Sequence, residues 1–184
     1  MKEQRCGACQ SIGRRRIILG SLGAVALTAG CLGEDPDHEP VDLTSGATCD
    51  ICGMIIEDHF GPAAQAFYDG LPRDREGPMR FDSILEMVTY DAGIDHSLEA
   101  GFATDYSRVS ADIQHVDGTS YIPTVATVDA FSPLQELVFV IDSEVEGAMG
   151  PDAIPYSDPA DADKFVDDFG GSVVEWEGIP ATGH

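Results

Sequence analysis

Arg14-Arg15-Arg16 runs directly into Ile17-Ile18-Leu19 and then a glycine, alanine, valine and leucine stretch that ends in Leu27-Thr28-Ala29-Gly30-Cys31. This feature limits the fold most, because it separates the start of the chain from whatever becomes globular. An apolar run of about 13 residues cannot span a bilayer, which needs roughly 20. A basic start, a short apolar run and small residues at its end make a signal peptide over residues 1–30. The arginines resemble a twin-arginine signal, which exports folded proteins. Leu27–Cys31 resembles a lipobox, in which the cysteine is lipidated and becomes the first mature residue. Residues 31–46 then read as a flexible tether, since Gly33-Glu34-Asp35-Pro36-Asp37-His38-Glu39-Pro40 is polar and proline-rich. Of the five cysteines, Cys6 and Cys9 leave with the leader, Cys31 is the anchor, and Cys49 and Cys52 remain in the body.

The charge divides at the same place. The 184 residues hold 33 acidic and 10 basic side chains, a formal net charge of −23. Lys2, Arg5, Arg14, Arg15 and Arg16 lie in the leader, which leaves a net of −27 on the remainder, with Lys164 its only lysine. Without a basic patch there is nothing to bind a phosphate backbone, so nucleic acid is excluded as a partner. A hydrophobic content of 43% excludes a disordered acidic tail and suffices for one domain or two small ones. An acid excess of this size on a folded core fits a halophile. Molar salt shortens the Debye length to about 3 Å and makes the self-repulsion tolerable.

Globular patterning begins near Thr48. Met54–Glu57 and Ala63–Tyr68 read as short strands, with Asp69-Gly70 as the turn after the second, and Pro78–Phe81 as an extended piece. Asp82 or Ser83 caps a helix whose apolar face is Ile84, Leu85, Met87 and Val88, with Gly93 as its stop and Leu98 beyond it. Tyr106–Val116, Tyr121–Val128 and Glu136–Ile141 read as strands, Asp117-Gly118 as a hairpin turn. A second helix starts at Asp158-Pro159 and ends at Gly170-Gly171, before a closing strand Ser172–Trp176. Strands followed by a helix, twice, without βαβα alternation, give an α+β class. The expected layout is two small ββα-type modules, 47–100 and 101–178, forming one compact body, with a tail over 179–184.

Cys49-Asp50-Ile51-Cys52-Gly53-Met54 places two thiols and a thioether within six residues. Four readings compete for it. A thioredoxin-like pair acting as a thiol–disulfide oxidoreductase needs a βαβ setting, and the flanks here are strand-like. Zinc needs four ligands, so two histidines or carboxylates must join the two cysteines. A disulfide knuckle in a structural surface lipoprotein is the third reading. A few soft sulfur donors suit Cu(I), which accepts two or three of them. Met149, between glycines in Gly147-Ala148-Met149-Gly150-Pro151, has no regular face to bury and joins the candidate ligands. Met79 and Met87 read as packing. His59 and His115 are candidates for the same metal shell, against a plainer reading as solvated strand histidines. No G-x-S-x-G, H-E-x-x-H or phosphate loop occurs.

The motifs appear in the order seen in one known family. Cys49–Met54, Gln65 with Asp69-Gly70, Phe81-Asp82-Ser83, Ala148-Met149-Gly150, Asp158–Ala162 with Phe165, and Gly170–Trp176 resemble the NosL lipoproteins over about residues 46–178. The resemblance implies two α+β modules related to the treble-clef-like fold of organomercurial lyase. It implies a Cu(I)-binding protein, not an enzyme, lipid-anchored at the extracytoplasmic face of the cell membrane. Its copper serves nitrous oxide reductase, or the machinery that assembles it, in denitrification. The family's ligand pattern falls on Cys52, Met54 and Met149, with Cys49 accessory.

Overall fold

The structure is a computed structural model and describes residues 38–181. The leader with Cys6, Cys9 and the lipobox Cys31 lies outside the described residues. Eleven strands and two helices are described, in chain order. β1 (Ala64–Tyr68), β2 (Met79–Phe81), α1 (Ile84–Gly93) and β3 (Leu98–Thr104) come first. β4 (Gln114–Val116), β5 (Thr119–Tyr121), β6 (Phe131–Pro133), β7 (Val138–Ile141) and β8 (Val145–Gly147) follow. β9 (Gly150–Pro151), β10 (Ile154–Tyr156), α2 (Pro159–Phe169) and β11 (Ser172–Val174) complete the order.

The strands form three sheets, ordered β2-β1-β3-β6, β10-β7-β11 and β4-β5-β8-β9. The first two are antiparallel throughout, and the third contains one parallel pair, β5 with β8. Few helices and several sheets make the chain α+β, as its patterning predicts. β3 crosses the expected division at residue 100 and pairs with both β1 and β6. One cluster of buried side chains joins Phe81, Ile84 and Met87 to Leu134, Leu137 and Phe139. The two halves therefore share a core.

Both helices start where their capping residues say. Ser83 accepts from the Glu86 N–H at 3.2 Å and caps α1, which buries Ile84, Met87 and Val88 along one face. Asp158 accepts from the Ala160 N–H at 2.9 Å, Pro159 opens α2, and Gly170 ends it at φ 73°. The strands were harder to place. Met54–Glu57 is not a strand: Ile55 makes a single bridge with Thr48, and Ile56–Asp58 is a 3-10 turn. Of Tyr106–Val116 only the last three residues pair, because the Asp105 carboxylate accepts from Ser107 N–H and turns the chain. Tyr121–Val128 stops at Tyr121, two residues before Pro123, and Leu98 begins β3.

Residues 38–46, expected within the tether, are held on the body. Leu43 is 1% exposed and its N–H donates to Ala126 O at 2.9 Å. The buried Gln65 side chain bonds both backbone groups of Val41, at 2.8 and 3.0 Å. His38 stacks on Phe67 with ring centroids 4.3 Å apart.

Candidate metal centre

Cys49–Met54 folds into a tight knuckle. The Cys49 N–H donates to Met54 O at 2.8 Å, and the Gly53 N–H returns to Cys49 O at 3.1 Å. Gly53 sits at φ 76°, a left-handed value that penalises any residue with a Cβ. The knuckle is fastened to the free edge of β2. Asp50 N–H donates to Arg80 O at 2.8 Å, Arg80 N–H donates to Asp50 Oδ2 at 2.7 Å, and Arg75 forms an ion pair with the same carboxylate. Asp50 thus satisfies backbone groups that an edge strand would otherwise leave open.

That attachment decides what surrounds the thiols. β2 ends at Phe81, so Asp82 follows at once and Glu86 lies one turn into α1. Cys49 Sγ donates to Glu86 Oε2 at 2.8 Å, and Cys52 Sγ lies 3.5 Å from both oxygens of Asp82. Ligand atoms of Cys49, Cys52, Asp82 and Glu86 all fall within 4.8 Å of one another. Both thiols are free; Cys49 is 2% exposed, and Cys52 is open to solvent. Burial, reinforced by the hydrogen bond to Glu86, raises the Cys49 thiol far above the usual range. Burial also raises Cys52, and the Asp82 and Glu86 charges add to it. Burial raises the Glu86 carboxyl as well, with the neighbouring Asp82 charge in support. Thiol protons bridge the cluster, and a cation bound there would replace them.

Met149 arrives from another direction. Gly147 pairs with Gly150 across β8 and β9, so Ala148-Met149 forms the tip of a two-residue hairpin, and Met149 is 59% exposed. Its side chain lines a cavity of about 390 Å³ together with Ile51 of the knuckle and Leu85, Glu86 and Tyr90 of α1. The thiols do not line that cavity. Met54 is half-buried and closes the knuckle through its carbonyl. His59 and His115 are exposed; among the described residues no histidine belongs to the cluster. His115 Nδ1 instead lies 3.0 Å from Ser120 Oγ across its hairpin.

The base of the hairpin is tied to α1 by a carboxylate that sequence reasoning missed. Asp152 is 3% exposed, and its Oδ1 accepts from Leu85 N–H at 3.1 Å and Ala153 N–H at 2.9 Å. Its Oδ2 is buried and lies 2.9 Å from where a Cβ on Gly147 would stand. Burial raises this carboxyl to about 7. Asp82 and Glu86 were missed for a different reason, namely the abundance of acid in the chain. Their signal was local: Asp82 directly precedes the Ser83 cap, and Glu86 stands three residues after it, where a capping box places its acid.

The fold and the cluster define a class, an α+β protein with a thiol pair flanked by carboxylates that could hold a metal ion. A family model described as NosL matches residues 40–183, and the chain belongs to the NosL family. It is 28% identical over 166 residues to the copper-binding lipoprotein NosL of Achromobacter cycloclastes, covering 88% of this chain and 78% of that protein. It is 29% identical over 172 residues to the copper-binding lipoprotein NosL of Stutzerimonas stutzeri, covering 89% and 81%. The crystal structure of the copper chaperone NosL from Shewanella denitrificans superposes with a TM-score of 0.61 at 21% identity, over 78% of this chain and 97% of that one. At that identity the likeness speaks for the fold. The names these relatives carry are those of binding proteins and a chaperone, not of enzymes.

Proposed function

We propose that the chain is an exported, lipid-anchored Cu(I) chaperone that supplies the copper centres of nitrous oxide reductase. The observation that carries this reading is the convergence on α1 of an exposed thiol, Cys52, and a methionine-bearing hairpin. Cys52, Met54 and Met149 are the copper ligands, with Cys49 accessory. One thiolate and two thioethers suit a soft monovalent ion, and a three-coordinate site leaves room for an acceptor's ligand. Copper here is cargo: it enters as the Cys52 thiol loses its proton, and leaves as a partner's donors replace first a thioether and then the remaining ligands, with the Cys52 thiolate taking up a proton again. No helix among the described residues is long and apolar enough to cross a membrane. In this reading attachment rests on lipidation at Cys31 after twin-arginine export, which puts the body at the extracytoplasmic face. The acid excess supports work in concentrated salt.

Anaerobic Cu(I) titration against a competing chelator tests the site. Cys52→Ser and Met149→Leu each weaken binding, the first by about a hundredfold or more; binding unchanged in both removes the assignment. Deleting the gene and measuring copper in nitrous oxide reductase tests the client. A thiol–disulfide oxidoreductase is disfavoured, because such enzymes lower the pKa of an exposed attacking thiol and both thiols here are raised. Insulin reduction above background would reinstate it.

A further inference from the structure

Cys52 belongs to two candidate donor sets of different chemistry. The copper reading joins it to the thioethers of Met54 and Met149. The fold has already assembled a second set of two thiols and two carboxylates, with ligand atoms of Cys49, Cys52, Asp82 and Glu86 within 4.8 Å of one another. A tetrahedral divalent centre has metal–sulfur bonds of about 2.3 Å and metal–oxygen bonds of about 2.0 Å, which put neighbouring ligand atoms about 3.3–3.8 Å apart. The Cys52–Asp82 separation of 3.5 Å already fits. The Cys49–Glu86 contact of 2.8 Å is a thiol hydrogen bond that opens by less than about 1 Å when metal replaces its proton.

The set is built into the frame. The knuckle is fastened to β2 through Asp50 and Arg80, and Asp82 and Glu86 bracket the Ser83 cap of α1. Carboxylate oxygen is a poor donor for Cu(I) and a good one for a borderline divalent ion. Two thiolates and two carboxylates carry four negative charges, well suited to a dication, and the exposed Cys52 is the way in while Cys49 closes the floor. We infer that Cys49, Cys52, Asp82 and Glu86 form a Zn(II) site that shares only Cys52 and the accessory Cys49 with the copper donors, so that the protein holds one metal or the other. Zinc enters as the two thiols release two protons, with no change of oxidation state. The zinc-bound form keeps both sulfurs coordinated until Cu(I) takes the Cys52 thiolate. The zinc site stands independently of the copper reading; the exchange rests on it.

Co(II), a coloured stand-in for Zn(II), provides the test on the full, reduced chain. One equivalent gives the thiolate-to-metal absorption and visible bands of a tetrahedral site, and one equivalent of Zn(II) bleaches them. The double variant Asp82→Asn with Glu86→Gln lowers Zn(II) affinity at least about tenfold in chelator competition. If the buried Asp82→Asn change prevents folding, Glu86→Gln alone carries this measurement. Met149→Leu leaves the Co(II) spectrum as it is in the parent. Absence of thiolate absorption, or carboxamide variants that bind Zn(II) like the parent, overturns the site. One equivalent of Cu(I) added to the Co(II) form bleaches it; bands that persist overturn the exchange, provided Cu(I) binds the metal-free chain. Failure of Cu(I) to bind that metal-free chain defeats the copper reading and leaves the zinc site standing.

Discussion

The Cys49–Met54 knuckle and the β8–β9 hairpin both bring sulfur toward α1, and they are built in opposite ways. The knuckle is pinned by its own backbone bonds and by Asp50 on β2, with Cys49 in a buried cluster beside Leu43, Ile56 and Phe102. The hairpin is short, exposes Met149 at its tip, and is held at its base by two close contacts: Gly61 against Gly147, and Asp152 beneath Gly147. One arm is fixed. The other is presented to solvent, and its position depends on packing several residues away from its sulfur. That difference suits the proposed carrier role, which needs one firm donor and one that an acceptor can displace.

The largest expected effect is at the hairpin's base and depends on pH. The Asp152 carboxyl is raised from the ordinary aspartate range near 4 to about 7, so between those values the folded state holds a proton that the unfolded state has lost. Its contribution is fully present below about pH 4 and is lost as pH rises to about 7. The loss is up to about 4 kcal/mol at 1.36 kcal/mol per pKa unit. The other titratable group coupled to it, the buried Tyr106 phenol, is itself raised and stays protonated. Urea melts across this window should show the parent losing stability relative to Asp152→Asn; parallel curves for the two would remove the effect.

Gly61→Ala comes next. Its φ of 103° is a glycine conformation, and an added Cβ would stand 2.9 Å from the Gly147 Cα. A cost of about 3 kcal/mol is expected, with lowered Cu(I) affinity as the hairpin shifts. If the melting temperature falls and copper binding does not, the seat of the hairpin does not position Met149. Asp50→Ala should cost about 1.5 kcal/mol by leaving Arg80 N–H without its acceptor and Arg75 Nη2 without its carboxylate. Asp50→Asn restores the backbone bond, so recovered metal affinity in that variant identifies a positioning role. Smallest of all, Met149→Leu should change stability by no more than about 0.5 kcal/mol, because the side chain is mostly exposed. A large stability loss there would make Met149 a packing residue.

Legibility in the sequence followed the locality of the signal. α1 and α2 could be read from Ser83, Asp158, Pro159 and Gly170, whose chemistry acts within one turn. β1, β2 and the Asp117-Gly118 hairpin were likewise visible. β6, β8, β9 and β10 were not, because two or three residues containing Pro133, Gly147, Gly150, Pro151 or Pro155 carry no period of two. β3 was hidden behind the end of α1, and its strand character depends on β1 lying beside it. At the metal centre both thiols were evident, whereas Asp82 and Glu86 were lost among the chain's 33 carboxylates. Only their distance to sulfur distinguishes them.

The sequence by itself determined the expectation of a leader, the acid excess, the caps of two helices and a sulfur-rich hexapeptide with a further methionine near residue 150. Each follows from residues acting on near neighbours. Tertiary structure decided which carboxylates meet the thiols, how the hairpin is seated, and that Asp152 is buried beneath it. Those facts depend on the knuckle pairing with the edge of β2 and on Gly61 meeting Gly147, contacts between residues about 30 and 86 positions apart. Local chemistry supplied the sulfur groups, and long-range packing chose their company.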